Sequence, residues 1–210
     1  MNAIATRLSA ISGAYFVVAA FAGSGGPDRT KLGLLVLLSG LVALLVFLAH
    51  LHRLLSHDGG VRSGWLAMTT SCGLIFLALQ ASELGYFGVV FQRSITGVSG
   101  DLLADLTEAT FVASSLFFGL FLLSAAAGTR CARVLPAWLT WPGMAVGALS
   151  AAAGALGVLT VDSFLPLPYV AGLGWVGVVS VVLAVRPGRP ATDRMVTRPA
   201  DSPVPVVGET

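Results

Sequence analysis

Residues 65–127 read WLAMTTSCGLIFLALQASELGYFGVVFQRSITGVSGDLLADLTEATFVASSLFFGLFLLSAAA, and the reading of this stretch decides the fold. Trp65 to Ser82 is a run of 18 residues without a charge, and Ala109 to Ala127 is a run of 19. Each meets the requirement of roughly 17 to 25 apolar residues for a helix that crosses a hydrocarbon core about 30 Å thick. A polar link between them carries Glu83, Arg93, Asp101, Asp105 and Glu108. Two such runs joined this way are a transmembrane helical hairpin.

The rest of the chain extends the pattern in both directions. Of its 210 residues 56% are hydrophobic and only 10% charged, against about a quarter charged in a soluble domain. The mean hydropathy is +0.88. Six segments satisfy the spanning criterion, near 7–23, 31–55, 62–91, 101–127, 136–160 and 166–186. The expected fold is an all-α, polytopic transmembrane bundle of six helices, arranged as three successive hairpins, occupying residues 1–186. The links are short, the longest of about ten residues, so no soluble domain is inserted and any chemistry belongs within or beside the membrane. Beyond Arg186 the chain turns polar, with Pro187, Pro190, Pro199, Pro203 and Pro205, and residues 187–210 are expected to form a disordered Pro-rich cytoplasmic tail.

Segment one also fits a secretory signal, because Arg7 precedes an apolar run that closes with Ala20-Phe21-Ala22 before Gly23. An uncleaved helix is favoured, since another span follows at once. Orientation comes from the basic residues, which are eleven arginines and one lysine. One set of helix ends holds Arg7, Arg53, Arg62, Arg130, Arg133, Arg186, Arg189, Arg194 and Arg198, and the other only Arg29, Lys31 and Arg93. The positive-inside rule then puts both termini in the cytoplasm of a cell whose inner (plasma) membrane holds the protein. Trp65, Trp138 and Trp141 fall at the same boundary, where amphipathic rings favour the headgroup level. The bilayer is the expected partner. The scattered basic residues form no stripe for nucleic acid, and a protein partner or a homo-oligomer stays open. Gly143, Gly147 and Ala151, at four-residue spacing, form a face on which helix backbones approach closely. Gly172, Gly174 and Gly177 offer another on the sixth segment.

A candidate polar cluster comprises Gln80, Glu83, Arg93, Asp101, Asp105 and Glu108. At 100° per residue, Asp101, Asp105 and Glu108 lie within an arc of about 60°, and Gln80 and Glu83 are about 60° apart. Ionisable groups inside membrane helices mark ion or proton paths. The alternative places the carboxylates at the outer interface, with Asp101 and Asp105 complementing the positive end of the fourth helix. The apolar run Leu84 to Phe91 would draw Glu83 inward, whereas the lengths of the two charge-free runs favour the interface.

No metal or cofactor is expected. His50, His52 and His57 cannot hold one ion on a continuous helix, since the first two are about 200° apart and the outer two about 10 Å apart along the axis. A solvated helix end suits them better. Cys72 and Cys131 belong at different depths, which argues against a disulfide, and Cys72 reads as a small buried hydrophobe. Gly97-Val98-Ser99-Gly100 resembles the nucleophile motif of rhomboid intramembrane proteases. That family places its base on the last core helix, and segment six here has no histidine, which argues against a serine nucleophile.

Three further stretches, Leu51-His52-Arg53-Leu54-Leu55, Asp105 to Val112 and Leu135-Pro136-Ala137-Trp138-Leu139-Thr140-Trp141, resemble an uncharacterised family of six-helix integral membrane proteins from high-GC actinobacteria, a domain of unknown function. The resemblance implies the six-helix topology and carries no activity with it. The expected function is that of a non-enzymatic accessory, scaffold or envelope-stress component. The alternatives are a small-solute or ion-coupled transporter using Glu83, Asp105 and Glu108, and, more remotely, an intramembrane enzyme.

Overall fold

The structure, a computed structural model, describes residues 3–23, 31–57, 63–93, 98–159 and 166–185. They form six helices: α1 (Ala3–Gly23), α2 (Lys31–His57), α3 (Ser63–Arg93), α4 (Val98–Cys131), α5 (Ala137–Leu159) and α6 (Leu167–Val185). Each contains a stretch long and apolar enough to cross a membrane, so the chain is a multi-pass membrane protein. Lipid supplies no hydrogen-bond partner to a backbone, and a helix satisfies its own. Residues 187–210, where a tail is expected, lie outside the described residues.

Two helices are longer than a bilayer core requires. α3 has 31 residues and α4 has 34, so at 1.5 Å per residue they are about 47 and 51 Å long. Their overhang beyond a core of about 30 Å carries polar residues at no desolvation cost. Asp101 in the first turn of α4 and Arg130 in its last turn match the signs of the helix dipole.

Consecutive helices pack side by side, and α6 returns to lie against α1, which closes the series of hairpins into a ring. α4 also touches α2 and α6 across the ring. It is the innermost helix, with 67% of its apolar stretch buried against 39% or less in every other. Phe118, Phe121, Leu122, Ala125 and Ala126 on α4 are buried to 1% exposure or less, and Phe47, Leu51 and Phe76 close over them from α2 and α3.

Absent side chains set the α4–α5 seam. A Cβ on Gly119 would stand 2.7 Å from both the Ala151 Cα and the Gly147 carbonyl oxygen, and one on Gly147 would stand 2.6 Å from the Leu123 amide nitrogen. Gly154 lies equally close to the backbone of Leu116. Here two main chains touch, which no residue larger than glycine at Gly119, Gly147 or Gly154 would allow. The face that carries Gly143, Gly147 and Ala151 therefore meets partners within the same chain. Gly143 itself receives the indole of Trp175 from α6, and Trp175 Nε1 donates 2.9 Å to the Leu139 carbonyl. Pro142, one turn into α5, withholds the N–H that would bond the Trp138 carbonyl and loosens the turn in which Leu139 accepts the indole. On α6 only Gly172 is tightly packed, against Phe118 and Leu122, while Gly174 faces open space.

The turn between α4 and α5 is built from local signals. Val134 N donates to Thr129 O and Arg133 N to Arg130 O, both 3.0 Å, which is the paired bonding of a Schellman cap. Arg133 takes the left-handed position at φ 54°, where glycine is usual. The Pro136 carbonyl then accepts from Leu139 and Thr140 to start α5, and the Arg130 guanidinium sits 4.2 Å above the Trp141 ring. Ring and cation thus tie the end of α4 to the beginning of α5.

The seam is testable by paired substitutions. Gly119→Ala is expected to cost about 1–3 kcal/mol through overpacking against backbone that has nowhere to move. Gly174→Ala is expected to be neutral or to stabilise by up to about 1 kcal/mol through helix propensity. Thermal unfolding of the two variants in detergent measures the contrast, and equal effects would show that the backbone contact is not the tight point.

Candidate functional site

Helices with alternating direction bring the C-terminal ends of α1 and α3 next to the N-terminal ends of α2, α4 and α6. At that end of the bundle they border a partly open cavity of about 270 Å³. Its walls are apolar and aromatic: Phe16 and Phe21 from α1, Leu37 and Leu41 from α2, Leu84 from α3, Phe111 from α4, and Val170 and Leu173 from α6. Three residues bring polar atoms to it, Gln80, Glu83 and Tyr169.

The polar groups are held in a fixed arrangement. Gln80 Nε2 donates to Glu83 Oε2 at 3.0 Å and, across the helix interface, to Ser114 Oγ at 3.0 Å. Ser114 in turn donates to the Phe111 carbonyl at 2.8 Å. One amide thus bridges α4 to the carboxylate, so the orientation of Glu83 is set by its neighbour one turn earlier on α3 and, through it, by α4. The amide that joins them is half-buried, where polar contacts are worth more than at an aqueous surface.

Below the polar edge lies a cluster of rings. Tyr169 packs 5.0 Å from Phe118, 5.3 Å from Phe111 and 6.5 Å from Phe76, centroid to centroid. Phe76 stands 4.9 Å from Phe118 and 6.5 Å edge-on from Phe16. These spacings are those of favourable aromatic pairs. Tyr169 therefore belongs to the packed floor by its ring while also lining the cavity.

The residues of the expected cluster separate into two groups. Gln80 and Glu83 meet and line the cavity, whereas Asp101, Asp105 and Glu108 share an exposed face of α4 and do not contribute to it. Asp101 sits in the first turn, as suits an acidic residue at a helix N-terminus. α3 ends at Arg93, whose side chain lies outside the described residues, as does any pairing it makes. Ser99 is exposed in the first turn of α4, and Gly97 precedes the described part of that helix.

The histidines do not share one environment. His50 is buried at 6% exposure with its Nδ1 3.0 Å from Ser9 Oγ on α1, so it is not the solvated group its place near the end of α2 suggests. His52 points to the other side, 2.9 Å from Thr70 Oγ1 on α3. Each ring joins a different pair of helices, and among the described residues no three of His, Cys, Asp and Glu gather at one point. Cys72 is buried and Cys131 exposed, and both are free thiols.

Ser114, Phe111 and Tyr169 are not marked in the sequence. A serine in an apolar span ordinarily bonds its own helix, and nothing in periodicity links α3 to α6. Trp175 does carry a signal. It lies in mid-span, away from the headgroup belts, where an indole N–H needs a protein acceptor.

Fold and cavity define a polytopic helical-bundle membrane protein with a polar-edged cavity at one end of the bundle. No family model, curated protein or solved structure matches the chain.

Removal of the Gln80 amide tests how the site is held. Gln80→Leu is expected to cost about 1–3 kcal/mol, because Glu83 and Ser114 lose a shared donor in a half-buried place. Ser114→Ala is expected to cost less, since Gln80 keeps Glu83. Unfolding of both variants in detergent, monitored by circular dichroism, gives the order.

Proposed function

We propose that this is a non-enzymatic accessory or scaffold protein of the inner (plasma) membrane, with both termini in the cytoplasm. The observation that carries this reading is the separation of the carboxylates. An ion- or proton-coupled carrier built on Glu83, Asp105 and Glu108 requires them to face one another across a water-filled space. Here Glu83 lines the cavity while Asp105 and Glu108 are exposed on α4. The rest of the bundle supports a static role. Its central helix is locked to α5 by main-chain contact, and its buried hydroxyls on Ser115, Ser124, Thr129 and Ser180 bond carbonyls of their own helices. An intramembrane serine protease is disfavoured by distance along the fold, because His50 and His52 lie toward the end of α2 and Ser99 at the opposite end of the bundle.

Two measurements bear on this reading. Liposomes that hold the wild-type protein are expected to pass protons, Na⁺ and K⁺ no faster than protein-free liposomes. A flux above that background, lost in a Glu83→Gln, Glu108→Gln double variant, would establish the carrier instead.

Orientation can be read with the native thiols. Cys131 is exposed at the end of α4, on the face assigned to the cytoplasm, and Cys72 is buried. A membrane-impermeant maleimide is expected to label the protein at Cys131 only after the cells are permeabilised. Labelling of intact cells would invert the topology.

A further inference from the structure

We infer that the partly open cavity between α1, α2, α3, α4 and α6 receives one acyl chain of a surrounding membrane phospholipid. Its walls are graded from rim to floor. The exposed wall residues, Phe21, Pro166 and Val170, stand at the end of α1 and the start of α6, whereas Phe16, Leu41 and Leu173 are buried to 9% exposure or less. α1 and α6 pack against each other, so the rim is formed by two neighbouring helix ends. With 21 and 19 residues these helices are about 32 and 29 Å long, which matches a hydrocarbon core of about 30 Å. Phe16, seven residues before Gly23, and Leu173, six after Leu167, then lie about 10 Å inside the hydrocarbon. The floor is at the depth of acyl chains, and the rim is at the headgroup boundary from which those chains descend.

The chemistry of the walls selects an alkyl chain over water. A buried water makes about three hydrogen bonds, and the side chains of Phe16, Leu37, Leu41, Phe111 and Leu173 offer it none. At the polar edge Gln80 already donates to Glu83 and Ser114, so no bond is lost when an alkyl chain comes to rest beside it. An unfilled apolar space forfeits the dispersion contacts of the atoms that line it, and the bilayer supplies chains at the depth of the floor. At roughly 30 Å³ per small group in a liquid-like space, the cavity of about 270 Å³ accommodates about nine methylene groups. That is part of one chain, with the headgroup left outside at the rim. The site requires no transport step and is independent of the accessory reading: a liposome flux would overturn that reading without touching this one.

The test uses the full-length protein in phosphatidylcholine vesicles that contain a small fraction of phosphatidylcholine with a diazirine on one acyl chain. Irradiation followed by peptide mapping with mass spectrometry locates the adducts. Leu45 and Val178, 48% and 46% exposed, meet bulk lipid and serve as the reference. Adducts are expected on these two and also on Phe16, Leu41 and Leu173, which a chain reaches only by entering the cavity. Ala20→Phe, which fills the cavity from α1, is expected to remove the adducts on Leu41 and Leu173 and to leave those on Leu45 and Val178. Val170→Trp, which narrows the rim from α6, is expected to do the same, and it serves should Ala20→Phe fail to fold. Labelling of Leu45 and Val178 without Phe16, Leu41 and Leu173 in the wild type, or labelling of Leu41 and Leu173 that survives both variants, would overturn the proposal.

Discussion

The contact on which the structure depends is the approach of two main chains, α4 and α5, at Gly119, Gly147, Ala151 and Gly154. In a bilayer, lipid tails are as apolar as leucine, so helices gain nothing by hiding apolar surface from solvent. Association must come from dispersion at close range and from interhelical hydrogen bonds. Glycine permits the closest range. Locked to α5, α4 becomes the innermost helix, and α3 and α6 pack on its remaining sides. Its large side chains, Phe118, Phe121 and Leu122, then fill the middle of the ring. Toward the start of α4, Phe111 lines the cavity beside residues of α1, α2, α3 and α6.

Polar side chains supply the second kind of adhesion. Tyr15 meets Ser39 at 2.8 Å and Ser9 meets His50 between α1 and α2, His52 meets Thr70 between α2 and α3, and Gln80 meets Ser114 between α3 and α4. Trp175 reaches the Leu139 carbonyl between α6 and α5. In membranes such bonds average about 0.6 kcal/mol each, so none decides the fold alone. Their distribution matters more, since they fix rotation and register in pairs of helices that lack the glycine seam. Ser150, at the α5 core, is the exception among the described residues, a buried hydroxyl without a partner.

Part of the candidate site was legible because it is local. Gln80 and Glu83 stand three apart on one helix, and helical geometry alone puts them within reach of each other. The three carboxylates of α4 are just as local to one another, and their common face was equally readable. Which way that face points was not. A helix can turn about its own axis without altering its sequence; at 100° per residue the three carboxylates share the side of α4 that meets α5 at Leu116, Gly119 and Leu123, and they are exposed in the turns that precede that seam. The unexpected burial of His50 has the same origin: its depth depends on Ser9, 41 residues away on a helix whose rotation the sequence leaves open.

The amino-acid sequence by itself determined the number of helices, their spans and the class of protein, because the thickness of a bilayer and the need to satisfy every backbone group allow one kind of solution for six long apolar runs. It also marked the small residues at which helices touch. Only the tertiary structure decided which helices those residues join, that α1 and α6 close the ring, and that Glu83 rather than the α4 carboxylates borders a cavity beside Tyr169. Those outcomes rest on the rotation and neighbour of each helix, which are set by contacts between residues far apart in the chain.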